Sequence, residues 1–353
     1  MESVTVSETD LQLLHALQVS PRAPWNVLGQ VLGISPSTAA RHWARLSEEG
    51  LAWVTAYRPD LAGRLGDPTN ALVTATCTPS RLTAVAAQLA THPQVLSVEL
   101  VSGDGDLHLT IAERDRHAFA DYMLDRYSDL DGLLQSSTCW VTRLYKEGSK
   151  WRLRALSPAQ VRRLRELTEP RTTAPHDRRT LLSQVDQRIV DALSEDGRAS
   201  YAALAEAAGI SEPTVRRRLR GMLESARLAV RCDVAWEAAG WPVHTTLALR
   251  VPAERLDDTA RALAALPDTR LVATCVGEAD LIVSVWLPAL GDSHPFAAML
   301  TERFPGVRIV RWLTALRAVK RMGQLLDDRG RALRPGSHRP AADRSSFPQI
   351  AAP

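Results

Sequence analysis

Polar and apolar positions alternate along this chain with two periods that exchange places twice. After Ser7, Leu11, Leu14 and Leu17 recur at helical spacing, and after Ser183, Ile189, Val190 and Leu193 do the same. Each run is opened by Ser-x-x-Asp (Ser7/Asp10, Ser183/Asp186), which predicts a capping box with aspartate in place of glutamate. A second short helix follows in each region, carrying Leu28, Val31 and Leu32 or Leu204, Ala207 and Ala208. It is predicted to end at Gly33 or Gly209, where a left-handed residue closes a helix. Ser35 and Ser211 are then expected to cap a third helix, with Pro36 at the first helical position of one copy. Helix, Gly-Ile-Ser turn, helix predicts a helix-turn-helix.

The period then shortens. Leu51–Ala56 and Leu228–Val234 read as short strands that suit a winged variant. Beyond them each region predicts strand, helix, two strands, helix, strand. The first set comprises strands 71–77, 95–102, 107–112 and 136–144, with helices 81–90 and 114–127. The second comprises strands 245–251, 271–276, 281–287 and 308–316, with helices 256–266 and 296–304. This is the ferredoxin-like order, an antiparallel sheet with helices on one face. The bare face must bury itself, and the same face of the other copy is the expected partner.

The two regions are copies of one unit. Gly33-Ile34-Ser35 matches Gly209-Ile210-Ser211 at an offset of 176 residues. At that offset Asp10 matches Asp186, Leu17 matches Leu193, Arg22-Ala23 matches Arg198-Ala199, and Arg41 matches Arg217. Gly103-Asp104-Gly105-Asp106 resembles Gly277-Glu278-Ala279-Asp280 at an offset of 174. The predicted class is α+β, with two winged helix-turn-helix domains alternating with two ferredoxin-like (βαββαβ) domains. The expected boundaries are 1–60, 68–147, a basic linker with a short helix at 148–180, 181–238, 243–321, and a disordered tail at 322–353.

Composition adjusts this picture in three places. Net charge is only +3, but from Ser211 to Arg231 six arginines oppose two glutamates, and from Arg143 to Arg179 eleven bases oppose four acids. All but Lys146, Lys150 and Lys320 of the 43 bases are arginine, which suits forked contacts to phosphate and guanine and equally suits a GC-rich genome. Cys77, Cys139, Cys232 and Cys275 form no CxxC pair, so neither zinc nor a disulfide framework is expected. No run of 18 apolar residues occurs, and the acidic N-terminus predicts no secretory signal, so a cytoplasmic protein is expected.

A recognition helix reads bases from its N-terminal residues and grips phosphates with its bases. Its candidates are Ser35, Ser37, Thr38, Arg41, His42 and Arg45 in copy one, and Ser211, Thr214, Arg216, Arg217, Arg218 and Arg220 in copy two. An arginine-rich face is also what any solvated helix shows. Where copy two has Arg216 and Arg220, copy one has Ala40 and Ala44, so copy two is expected to bind double-stranded DNA more tightly. No nucleophile–base pair, paired carboxylates, phosphate loop or metal spacing is present, so no catalytic residues, metal or cofactor are expected.

In order and spacing these motifs resemble the Lrp/AsnC family of transcription regulators, with two units fused. The resemblance implies a ligand-sensing second half that binds an amino acid or related metabolite near the Gly-x-x-Asp hairpin. Gly103, Asp104, Asp106, Gly277, Glu278 and Asp280 become effector candidates, although glycine and aspartate suit hairpin turns anyway. It also implies an intrachain pseudo-dimer open to higher homo-oligomers, with no membrane partner. The copies depart at Pro24-Trp25, where copy two has Ser200-Tyr201. A metabolite sensor with a degenerate reader, acting on a protein partner, is the competing reading.

Overall fold

The computed structural model describes residues 6–57, 69–168, 182–225 and 227–333. The remainder of the linker and the end of the tail lie outside the described residues.

The first helical unit holds α1 (Glu8–Val19), α2 (Trp25–Leu32) and α3 (Pro36–Glu48). Ser7 Oγ accepts from the Asp10 amide at 3.2 Å, and an Asp10 carboxylate oxygen accepts from the Ser7 amide at 2.9 Å, so the shorter acid still completes the box. Gly33 takes φ +71°, which only glycine adopts without strain, and lets the chain turn into α3. Ser35 Oγ caps α3 through the Thr38 amide at 3.0 Å.

A strand, β1 (Ala52–Tyr57), leads into the first sheet unit: β2 (Thr69–Cys77), α4 (Leu82–Thr91), β3 (Val95–Gly103), β4 (Leu107–Glu113), α5 (Arg116–Asp121) and β5 (Leu133–Lys146). A wider helical turn, Tyr122–Tyr127, extends α5 to the length the sequence predicts. Then α6 (Pro158–Thr168) precedes the second copy. That copy contains α7 (Gln184–Glu195), α8 (Tyr201–Ala208), α9 (Glu212–Glu224), β6 (Ala229–Val234), β7 (Val243–Arg250), α10 (Leu256–Ala265), β8 (Thr269–Val276), β9 (Leu281–Leu287), α11 (Ser293–Arg303) and β10 (Arg308–Arg321). Ser211 departs from its expected role: its hydroxyl bonds the Thr214 hydroxyl at 2.9 Å, and it makes no side-chain cap to the backbone.

The copies interlock at every sheet. β1 pairs antiparallel with β6, so the short strand of each reader finds its partner in the other copy. The two ferredoxin-like sheets join edge to edge, β3 to β10 and β5 to β8, and with the pairing of β10 to β7 eight strands close into a barrel. Closure removes the unpaired edges that each sheet would otherwise expose. Outside it, α4 and α5 cover one copy over Val73, Val98, Leu109 and Ile111, and α10 and α11 cover the other over Leu249, Val272, Val283 and Val285. Inside, Leu72 and Cys139 of the first copy meet Ala248, Cys275 and Ile282 of the second.

Two expected boundaries shift. α6 is no free linker: Leu164 is fully buried, and α6 packs with Leu153 and Leu156 into the core of the first reader. The Leu156 amide donates to His15 Nδ1 at 2.8 Å, and the Leu153 amide to Gln18 Oε1 at 2.9 Å. Residues 322–333 belong to the fold, not to a disordered tail. β11 (Gln324–Leu325) pairs with β10, and the Ala332 amide donates to the Gly50 carbonyl at 2.8 Å, which satisfies backbone groups that a free tail would leave to water. No helix among the described residues is long and apolar enough to cross a membrane.

Candidate nucleic-acid interface and effector site

Each reader helix is anchored by the capping aspartate of its own unit. Asp10, fully buried, receives His42 Nδ1 at 2.7 Å and Arg45 Nη2 at 2.5 Å. Asp186 receives Arg218 Nη1 at 3.0 Å. His42 and Arg218 are equivalent positions, so the candidate base there belongs to the scaffold in both copies, and in copy one Arg45 does so as well. Burial works to raise both aspartates, but His42, Ser7 and Arg45 around Asp10, and Ser183 and Arg218 around Asp186, outweigh it and hold both below the ordinary value.

A depressed carboxylate contributes stability that is complete above its unfolded value near ~3.9 and is lost as pH falls through the folded value. The thermal midpoint is therefore expected to fall on acidification below about pH 4. The double variant Asp10→Asn/Asp186→Asn should start lower and fall less steeply. Equal acid slopes in the two proteins would show that the caps carry none of this dependence.

Ser35, Ser37 and Arg41 are exposed in copy one, as are Ser211, Arg216, Arg217 and Arg220 in copy two; Thr38 and Thr214 are half-buried. Arg216 is partly engaged, lying 3.8 Å from the Tyr201 ring centroid and 3.6 Å from Glu212. Among the described residues, Arg41, Arg217 and Arg220 form no ion pair. The exposed positive surface is accordingly greater on α9 than on α3.

The residues that join the two readers escaped the candidate set. Arg22 donates to the Gly197 carbonyl at 2.5 Å and to the Ala199 carbonyl at 2.9 Å. Reciprocally, Arg198 donates to the Pro21 carbonyl at 2.6 Å and to the Ala23 carbonyl at 3.1 Å. Arg198 stacks on Trp25 at 4.0 Å, and Arg22 lies over Tyr201 at 5.4 Å. The Pro-Trp and Ser-Tyr departure is thus a pair of aromatic seats, each receiving the other copy's arginine. The available signal was the repeated Arg-Ala dipeptide in both turns, which composition alone does not mark as an interface.

The hairpins also serve the seam between copies. Gly103 takes φ +112°, and a Cβ there would lie 2.1 Å from the Trp312 carbonyl oxygen on β10. A Cβ on Gly277 would lie 2.7 Å from the Thr138 carbonyl oxygen on β5. Asp104 accepts from the Trp312 amide at 3.2 Å, and Asp106 from the Cys77 amide at 2.8 Å. Glu278 receives Arg311 at 2.6 Å, and Asp280 receives Arg250 at 2.8 Å and the Val251 amide at 3.0 Å. All four effector-candidate acids therefore hold intramolecular partners.

Residues 6–47 and 182–223 match the AsnC-type helix-turn-helix domain, and residues 70–151 match the Lrp/AsnC ligand binding domain. The chain belongs to the Lrp/AsnC family. An uncharacterised HTH-type transcriptional regulator of Pyrococcus furiosus is 26% identical over 144 residues, which cover 40% of this chain and 97% of the relative. The HTH-type transcriptional regulator FL11 of Pyrococcus horikoshii is 24% identical over 148 residues, 42% of this chain and 97% of its own length. Each relative is thus the size of one of the two fused Lrp/AsnC units. Such relatives point away from an enzyme. The solved structure of the siroheme decarboxylase NirDL matches with a TM-score of 0.57 at 14% identity, covering 90% of this chain and 93% of that chain. At that identity the likeness concerns the fold.

Proposed function

We propose that this Lrp/AsnC chain is a transcription regulator that binds double-stranded DNA with two unequal readers held in one polypeptide, in the cytoplasm. The observation that carries the reading is the pseudo-two-fold lock between the readers: Arg22 and Arg198 exchange four hydrogen bonds while α9 keeps Arg217 and Arg220 exposed. Two readers fixed in mutual orientation present their helices at one spacing, as a two-fold regulator does for two half-sites. Because α3 has alanines where α9 has arginines, the operator is less palindromic than that of a homodimer. Phosphate contacts come mainly from α9, with Ser211, Thr214 and Arg216 near its start facing bases. The effector is an amino acid or related metabolite at the Gly103 and Gly277 hairpins, where contacts would bear on the seam between copies. Further association of these intrachain pseudo-dimers belongs to the same reading.

The test is retardation of the chain's own upstream DNA across a salt series, with and without a panel of amino acids. Binding that weakens steeply with salt and shifts with one amino acid supports the reading. No binding there or to genomic fragments at low salt would sink it, and would leave a sensor acting on a protein partner.

A further inference from the structure

The barrel end that abuts the first reader holds more buried positive charge than it neutralises. Three guanidiniums, Arg231, Arg270 and Arg321, are 4%, 7% and 6% exposed, and the two carboxylates among them, Asp233 and Glu99, are 3% and 6% exposed. Asp233 is occupied twice, by Arg231 at 2.5 Å and by Arg270 at 2.7 Å. Glu99 is shared between Arg321, at a long 3.4 Å, and His244 Nδ1 at 3.1 Å. Nearer the surface Glu147 and Arg152 add one charge of each sign, so the surplus of one cation stands. Buried charges are ordinarily paired, and an uncompensated one is costly.

Hydrogen-bonding groups here are unbalanced in the same sense. The indole N–H groups of Trp236 and Trp286 are buried without an acceptor among the described residues, and His244 Nε2 has no partner there. These groups are contiguous. Arg321 lies 4.1 Å over Trp236 and 5.3 Å from Trp286, and the His244 ring centroid is 5.7 Å from that of Trp236 and 6.3 Å from that of Trp286. Donors outnumber acceptors, and the residual charge is positive. A carboxylate supplies both missing quantities, because it accepts without donating and carries one negative charge. Barrels of eight strands are of the size that either fills with side chains or holds one small ligand.

We propose that this end of the barrel is an internal binding site for a small carboxylate, held by Arg321, His244 and the indole N–H groups of Trp236 and Trp286. The site is separate from the hairpins and does not depend on DNA binding. It joins the second copy to the core of the first reader, since Trp286 and Trp236 pack in the same cluster as Leu14 and Leu17 of α1.

The test uses the full-length protein and titrates acetate, L-glutamate and 2-oxoglutarate against chloride and phosphate at matched ionic strength. Thermal midpoint and tryptophan emission are followed. At least one carboxylate is expected to raise the midpoint saturably and to change the emission, while chloride and phosphate do not. Trp236→Phe and Trp286→Phe keep an aromatic ring and remove the N–H donors, so they should fold and bind that carboxylate at least about fivefold more weakly. Arg321→Gln should bind more weakly still, and Trp25→Phe, at the reader contact, should bind as the parent does. Three results would overturn the site: no saturable response to any carboxylate, an equal response to phosphate, or full affinity in both Trp→Phe variants.

Discussion

Asp233→Ala is expected to destabilise the folded chain by about 3–5 kcal/mol, more than any surface substitution proposed for the readers. Asp233 lies on β6, pairs in register with Trp53 of β1, and is the only carboxylate among the described residues within ion-pair distance of Arg231 and Arg270. Burial tends to raise its pKa, but Arg231 and Arg270 pull it well below the ordinary carboxylate range. Burial pushes Arg270 down to about 9 against the pull of Asp233, so it remains a cation at neutral pH. Removing the acid strands two guanidiniums in a low-dielectric interior, and the loss far exceeds the net value of the pair. Denaturant unfolding followed by circular dichroism measures it. Asp233→Asn, which keeps the shape and an acceptor oxygen, should recover part of the loss. A shift below about 1 kcal/mol for the alanine variant would mean that the guanidiniums are neutralised by other groups.

The second large effect belongs to DNA. Arg217→Ala/Arg220→Ala should weaken binding by about 10–100-fold near 0.1 M salt and reduce the slope of log affinity against log salt by about 2, one for each phosphate left unneutralised. Arg41→Ala should cost less, because α3 adds no exposed arginine at the positions of Ala40 and Ala44. Fluorescence anisotropy of a labelled fragment across a salt series resolves both quantities. If Arg41→Ala abolished binding and the double variant bound normally, the ranking of the readers would be reversed. His42, Arg45 and Arg218 are expected to act differently from these exposed bases. Their replacement lowers reader stability first, because each neutralises a buried capping aspartate.

The elements were legible because they are encoded within short windows. Ser7/Asp10 and Ser183/Asp186 announce helices through contacts three residues apart, and Gly33 and Gly209 end helices through their own backbone. The candidate site was legible only in part. Helical spacing places Arg217 and Arg220 opposite the apolar face of α9, but the candidate bases of the two reader helices also included His42, Arg45 and Arg218. Nothing local shows that Asp10, thirty-two residues before His42, would claim that side chain. The hairpin acids presented the same ambiguity, since Asp106 and Asp280 fit a turn and a ligand equally well until their amide partners are known.

Period, caps and the 176-residue repeat were enough to establish two readers and two ferredoxin-like sheets in one chain. They did not reveal which edge meets which. β1 with β6, β3 with β10 and β5 with β8 are pairings between the two copies, as is the exchange of Arg22 and Arg198. The physical reason is that an exposed strand edge offers the same backbone donors and acceptors to any partner. Its choice depends on shape and charge brought together from distant segments. The surplus cation beside Trp236 and Trp286 arises in the same way. Each of its residues is ordinary in its own window, and only closure of the barrel against the reader core buries them together.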